Sequence, residues 1–421
     1  MNHKQNSTSG LSILLKDVEG FSQAQAAWRF YNNDNVDIPS LNNPIIQEGI
    51  KEINENCMEY ALVAYDWSHI DYRHHNSKKE RIEHKHNKEG YKKSKGYDLQ
   101  SSLAISDTTG APIVPLAQNL KTGQKVYSTY DDNIDIELTH LEELTKRSKY
   151  INNNLDIKKK IVDIIDREAD SVALMREYQE DSRFFIIRGL DRVNVEYNNK
   201  RITQKELARS LDSGEYVKSI KYKKQNVKIY ANEVKISITR DAYQTKIKDD
   251  GKRSIQKIKG KPVQARFIVE RLVNSKQETV ATWILISNLK EDVQTEKIAL
   301  WYYYRWNIES YFKLLKSSGF NLEQWQQVEP SAIFKRLLIS SHACLLVWQI
   351  ENSNNENIKQ IKKFLVKLSG RLIQRRKTST SPALLAGIWS FFSTMDIIEL
   401  YDIDKLLSMR DELVKFMESR F

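Results

Sequence analysis

Six side chains in this 421-residue sequence combine types and spacings that could act together chemically: Asp66, Asp166, Tyr302, Arg305, Glu309 and Lys316. Asp66 closes the apolar run ALVAYD, and Asp166 closes IVDIID. A carboxylate at the carboxyl end of a strand sits on the rim of a sheet, where α/β proteins place ligands. The same pattern is also common in a plain turn or cap. In WYYYRWNIESYFKLLK, Tyr302, Arg305, Glu309 and Lys316 stand at offsets 0, 3, 7 and 14. At about 100° per residue, an acid, two cations and a phenol then share an arc of roughly 60° on one helix face. Charge pairing of Arg305 with Glu309, and of Glu309 with Lys313, accounts for the acid but not for Tyr302 and Lys316 beside it. The neighbouring stripe of Trp301, Ile308, Phe312 and Leu315 predicts packing on a sheet, which would carry Glu309 towards the two aspartates.

The elements that must position these groups are legible as periodic runs. Residues 1–60 read as two helices separated by the turn-rich NDNVDIPSLNNP. The apolar run 60–65 has the look of a central strand buried on both faces. The polar, Lys- and His-rich stretch 68–95 reads as a mobile loop. Strands are expected at 97–106 and 112–118, joined through TTGAP, which has the Gly and Pro of a hairpin turn. A helix over 136–150, a strand over 161–165, a helix over 168–179 and a strand over 183–188 follow. Strands in a hairpin and then strands alternating with helices predict a mixed α/β sheet. Residues 189–280, rich in Lys, Val, Ile and Tyr with partial alternation, read as a β-rich insertion. Residues 292–350 and 358–421 read as helical, with TSTSP as a break. The expected organisation is a helical segment at 1–60, an α/β core at 61–350 that holds the β-rich insertion, and a helical segment at 351–421.

Composition narrows the class of function. A chain this long exceeds the roughly 250–300 residues that one core supports. With 66 Lys and Arg against 55 Asp and Glu, the net charge of +11 favours a polyanionic partner. Cations concentrate at 78–95, 218–235, 246–261 and 371–377, runs that could neutralise phosphates or simply form a solvated surface. Two cysteines, Cys57 and Cys344, exclude a disulfide framework and a cysteine-rich zinc site. The N-terminus lacks the apolar run of a signal peptide, and the most apolar stretch, 337–350, reads as too short to cross a bilayer, so a soluble, cytoplasmic protein is expected. His69, His74, His75, His84 and His86 lie in the Lys-rich loop without regular ligand spacing, so no metal site is expected there. His342 reads as a buried, hydrogen-bonded histidine.

Tyr302, Arg305, Glu309 and Lys316 reproduce the Tyr, two residues, Arg, three residues, Glu, six residues, Lys signature, so the sequence resembles the insertion-sequence-four family of cut-and-paste DNA transposases. DREAD at 166–170 resembles the family's second-aspartate motif, and DWSHIDYRH at 66–74 its first. The resemblance implies a ribonuclease H-like mixed sheet. It also implies two Mg²⁺ or Mn²⁺ ions held by Asp66, Asp166 and Glu309, hard cations suited to carboxylate oxygens. Tyr302, Arg305 and Lys316 would then grip phosphates beside the scissile bond. By the same resemblance, Trp283 in ATWILIS would stack on a base flipped from the duplex end, and Arg188 in FFIIRG would lie near DNA. From the residues alone, Trp283 reads equally well as a core aromatic and Arg188 as a rim residue. The implied partners are transposon ends and target DNA, bound by a homodimer that uses the tail SPALLAGIWSFFSTM. Family members carry more sequence ahead of the first aspartate than the 65 residues found here, so end recognition is expected to be compressed or impaired.

Overall fold

In the central strand β1 (Tyr60–Asp71) every side chain from Tyr60 to Tyr65 is buried, because successive residues point into cores on opposite faces of one sheet. Leu62 and Ala64 belong to one apolar cluster, Ala61, Val63 and Tyr65 to the other. The computed structural model describes residues 17–84, 94–223, 225–247, 253–371 and 379–420.

Two helices, α1 (Asp17–Tyr31) and α2 (Ile38–Asn56), precede β1. The predicted turn PSLNNP instead opens α2. Asp37 caps it by accepting from the Ser40 amide at 2.8 Å, and Pro39 occupies the first turn, where a missing N–H costs nothing. After β1 come β2 (Ile82–His84), β3 (Ser94–Ser106), β4 (Pro112–Lys121) and β5 (Val126–Ser128). The expected loop over 68–95 is turn and irregular chain at 72–81, but strand at 68–71, 82–84 and 94–95; His86 and the rest of 85–93 lie outside the described residues. The TTGAP turn is a hairpin as expected, with Gly110 at φ +71°, a value that L side chains rarely adopt. Helix α3 (His140–Asn154) starts at a capping box between Thr139 and Glu142. Then follow β6 (Lys160–Ile165), α4 (Val172–Glu180) and β7 (Phe184–Arg188). A single 3-10 turn, Arg167–Ala169, separates Asp166 from α4, where one longer helix was expected.

Strand β1 pairs antiparallel with β3 and parallel with β6, β3 antiparallel with β4, and β6 parallel with β7. The order β4-β3-β1-β6-β7, with three strands meandering and two added in parallel, is a ribonuclease H-like mixed sheet. The β-rich insertion comprises β8 (Asn194–Tyr197), β9 (Lys200–Thr203), α5 (Gln204–Ser210), β10 (Glu215–Tyr222), β11 (Gln225–Ile238), β12 (Ala242–Ile247), β13 (Arg253–Ile258), β14 (Val263–Asn274) and β15 (Thr279–Ser287). Most of it continues the core sheet: β15 pairs antiparallel with the edge of β7 and β14 with β15, which gives a sheet of 13 strands among the described residues. This covers the hydrogen-bonding edge that β7 would otherwise expose.

The remainder is helical: α6 (Thr295–Tyr304), α7 (Trp306–Lys313), α8 (Pro330–Asn352), α9 (Glu356–Leu368), α10 (Ser381–Tyr401) and α11 (Ile403–Glu418). By length and composition alone, two of these could cross a membrane. In α8, 23 residues long, 72% of the apolar window is buried inside the protein, whereas in α10 only 22% is. The apolar run 337–350 is thus part of a longer core helix. Much of the apolar surface of α10 and α11 faces outward, including Trp389, Phe392, Leu413 and Phe416. Much of the basic run 371–377 lies outside the described residues, as does part of 246–261.

Candidate functional site

Asp66 does not end its strand. The antiparallel ladder with β3 continues through Asp66, opposite Ser101, to Asp71, whereas the parallel ladder with β6 stops at Ala64. Asp66 thus stands just past the end of the parallel neighbour, on the Leu62 and Ala64 face. Asp166 follows the last residue of β6 directly. Both carboxylates therefore reach the same end of the two central strands, on the side covered by α6 and α7.

Those helices are anchored by the β3–β4 turn. The Trp301 indole donates to the Asp107 carbonyl at 2.9 Å, and the Asn307 amide donates to the Gly110 carbonyl at 2.8 Å. Trp301 is fully buried, its ring 5.1 Å from that of Tyr60. Between the two anchors the helix breaks, where one continuous helix was expected. Arg305 donates its backbone N–H to Tyr302, and Ile308 to Arg305, both over three residues. This tight turn directs the Arg305 guanidinium into the acidic cluster. Beyond α7, residues Leu314–Ser318 form a π turn that carries Lys316.

Arg305 is the hub of the site. Only 5% exposed, it bonds Asp66 at 2.9 Å and Glu309 at 3.1 Å. The Tyr302 hydroxyl donates to Asp166 at 3.4 Å, and Arg188 lies 3.9 Å from the same carboxylate. Burial pushes the Asp66 and Glu309 carboxyls up; Arg305 opposes this, while repulsion from Asp166 adds to both and that from Asp66 adds to Glu309. Burial also works against the charge of Arg305, but Tyr302 and the three carboxylates more than compensate and raise it. Burial raises the Tyr302 phenol, so it stays a neutral donor.

The structure thus seats Asp66 and Glu309 on the Arg305 guanidinium, with Asp166 close enough to add to its field and itself held by Tyr302 and Arg188. The groups expected to grip phosphates are engaged internally instead. Arg305 and Tyr302 are buried against carboxylates, and Lys316 donates to the His69 carbonyl and pairs with Glu323 at 3.1 Å. A guanidinium this deep requires compensating charge, which the carboxylates supply. Trp283 is 4% exposed, packed edge-on to Tyr222 and Tyr302 at ring separations of 5.8 and 5.9 Å, so it serves as a core aromatic with no open face. The Arg188 guanidinium lies 5.8 Å from the Trp283 ring.

Sequence reasoning passed over Glu168, whose carboxyl is raised by desolvation and by the nearby charge of Asp66. Its position inside DREAD was the available signal. It also passed over Glu270, fully buried opposite Trp283 with neither carboxylate oxygen partnered and held well above its usual range by burial. The alternation of β14 gives no hint of it.

Three carboxylates from three elements make an oxygen-donor set whose mutual repulsion a cation relieves, which suits hard divalent ions. Among the described residues, the group of His, Cys, Asp and Glu whose ligand atoms all lie within 4.8 Å of one another is a different one: His69, His84 and Asp98. A divalent ion at Asp66, Asp166 and Glu309 therefore requires Arg305 to withdraw and the carboxylates to close in.

No protein-family model matches the chain, and no curated protein matches it. Among solved structures, it is similar to the piggyBac transposase synaptic complex with hairpin DNA, with 11% sequence identity and a TM-score of 0.35. The match covers 87% of this chain and 59% of that one, so the chain spans less than two thirds of the protein it matches.

Proposed function

We propose that this protein is a metal-dependent DNA transposase, cutting at element ends and joining the freed 3′-hydroxyl to target DNA. The observation that carries the reading is the convergence of Asp66, Asp166 and Glu309 on Arg305 at one end of the central strands. The signature spacing of Tyr302, Arg305, Glu309 and Lys316 supports it independently.

In this reading Asp66, Asp166 and Glu309 hold two Mg²⁺ or Mn²⁺ ions. Such ions activate water or a hydroxyl for attack and stabilise the leaving oxygen of a phosphoryl transfer. Tyr302 orients Asp166 through its hydroxyl. Arg305, displaced from the carboxylates, becomes a planar fork for a backbone phosphate, and Lys316 supplies a point charge on the same side. Arg188, which sits on Asp166 at the rim, approaches the same phosphates. Trp283 supports Tyr302 from below, and stacking of a flipped base on it, as in a hairpin route, requires Tyr222 to move. The net charge of +11 matches a DNA partner, and the outward apolar face of α10 and α11 suits a homodimer on paired ends.

A second reading, a protein that occupies ends without cutting, draws support from the seat of Arg305 between Asp66 and Glu309. Purified protein, a duplex bearing the terminal repeats of the element that encodes it, and Mg²⁺ discriminate between the two. The parent nicks the duplex, and Asp166→Ala binds it but does not nick. Binding without nicking by the parent would favour the second reading, and equal nicking by parent and variant would remove Asp166 from the machinery.

A further inference from the structure

Outside the carboxylate cluster, two histidines from the stretch that the sequence pattern suggested was a loop converge on an aspartate of the strand expected after it. In the β1–β3 register His69 stands opposite Asp98, and β2 brings in His84. The His69 Nδ1 lies 2.9 Å and the His84 Nε2 3.1 Å from the same oxygen, Asp98 Oδ1. The two imidazoles meet edge to face at 4.6 Å, and Asp98 is 2% exposed. With Nδ1 turned to Asp98, the other ring nitrogen of His69, Nε2, is buried without a hydrogen-bond partner. The ligand atoms offered by these three residues all lie within 4.8 Å of one another.

We propose that His69, His84 and Asp98 form a binding site for one Zn²⁺-class cation, separate from the carboxylate cluster. Two imidazole nitrogens and one carboxylate oxygen are a donor set that Zn²⁺ or Co²⁺ takes in preference to Mg²⁺, with a fourth position left for water. Alternation along β1 separates the two sites: His69 shares the face of Trp67, whose ring contacts His140 of α3 at 4.5 Å, whereas Asp66 faces α6 and α7. The cation would clip together the ends of β1, β2 and β3. It would also fix the His69 carbonyl that receives Lys316, so its role at the neighbouring site is to position that residue.

The test uses the full chain without a histidine tag, stripped by chelator and then titrated with Co²⁺ in excess Mg²⁺. The parent is expected to develop the visible absorption of one bound Co²⁺ per chain, which Zn²⁺ abolishes by displacement. His84 is partly exposed, so His84→Ala is expected to fold yet bind more than about tenfold more weakly; Asp98→Asn should do the same, while Asp66→Asn retains the signal. Zn²⁺ is expected to raise the melting temperature of the parent and not of His84→Ala. Absence of Co²⁺ absorption in the parent, or a signal unchanged in His84→Ala, would overturn the site. Loss of the signal in Asp66→Asn with retention in His84→Ala would overturn it too, by assigning the cation to the carboxylates.

Discussion

Arg305→Met is the most informative perturbation, because it keeps most of the buried stem and removes only the charge at the hub. Arg305 is 5% exposed, and its guanidinium bonds Asp66 and Glu309 at 2.9 and 3.1 Å. Breaking a buried pair by deleting one partner costs about 3–5 kcal/mol. Here the Asp66 and Glu309 side chains remain 24% and 40% exposed, so water screens part of the orphaned charge. A loss of roughly 2–3 kcal/mol at neutral pH is expected. The sign with pH follows from the carboxylates. Both are raised in the folded state and pair with Arg305 only once deprotonated. The stability gap between parent and variant therefore widens as pH rises through their titration and closes in acid. Urea denaturation at acidic and neutral pH, with and without Mg²⁺, reads this directly. Mg²⁺ is expected to stabilise the variant more than the parent, since no guanidinium competes for the same oxygens. A gap that does not change with pH, or a smaller Mg²⁺ effect in the variant, would refute the account of Arg305 as a tethered counter-ion.

Three further outcomes follow from the same geometry. Trp283→Ala, at a site 4% exposed against Tyr222 and Tyr302, is expected to cost about 3–5 kcal/mol of stability; an undiminished denaturation midpoint would show that the ring is not a core element. Gly96→Ala places a Cβ 1.7 Å from the Ile70 carbonyl oxygen, in backbone that cannot yield cheaply. It is expected to cost roughly 3 kcal/mol and to weaken Co²⁺ binding at the adjacent His69 and Asp98, and wild-type behaviour in both assays would contradict the β1–β3 register. At subsaturating Mg²⁺, nicking should weaken on acidification, because Asp66 and Glu309 must be deprotonated to bind the ion and burial raises both carboxyls, and added Mg²⁺ should offset the loss by competing with protons. An acid limb that does not move with Mg²⁺ concentration would argue against their being ligands.

The sequence by itself determined the five core strands, the β-rich character of 189–280 and most of the helices. A buried strand reads as an unbroken apolar run, as in 60–65, and a hairpin turn as TTGAP, because these are local requirements of backbone and burial. It also placed Asp166 at a strand end and grouped Tyr302, Arg305 and Glu309, since helical spacing is set within a few turns, whereas Lys316, on a π turn, pairs with Glu323 instead. Only the tertiary structure decided what each group faces. The Arg305 charge is spent on Asp66, 239 residues away in the chain. Strand β15 closes the β7 edge across the whole insertion. His69, His84 and Asp98 meet because β2 and β3 return to the end of β1. Periodicity records which side of an element is apolar. It carries no record of which distant element arrives on that side, and for buried charges such as Arg305 and Asp98 the arriving partner sets both the energy and the chemistry.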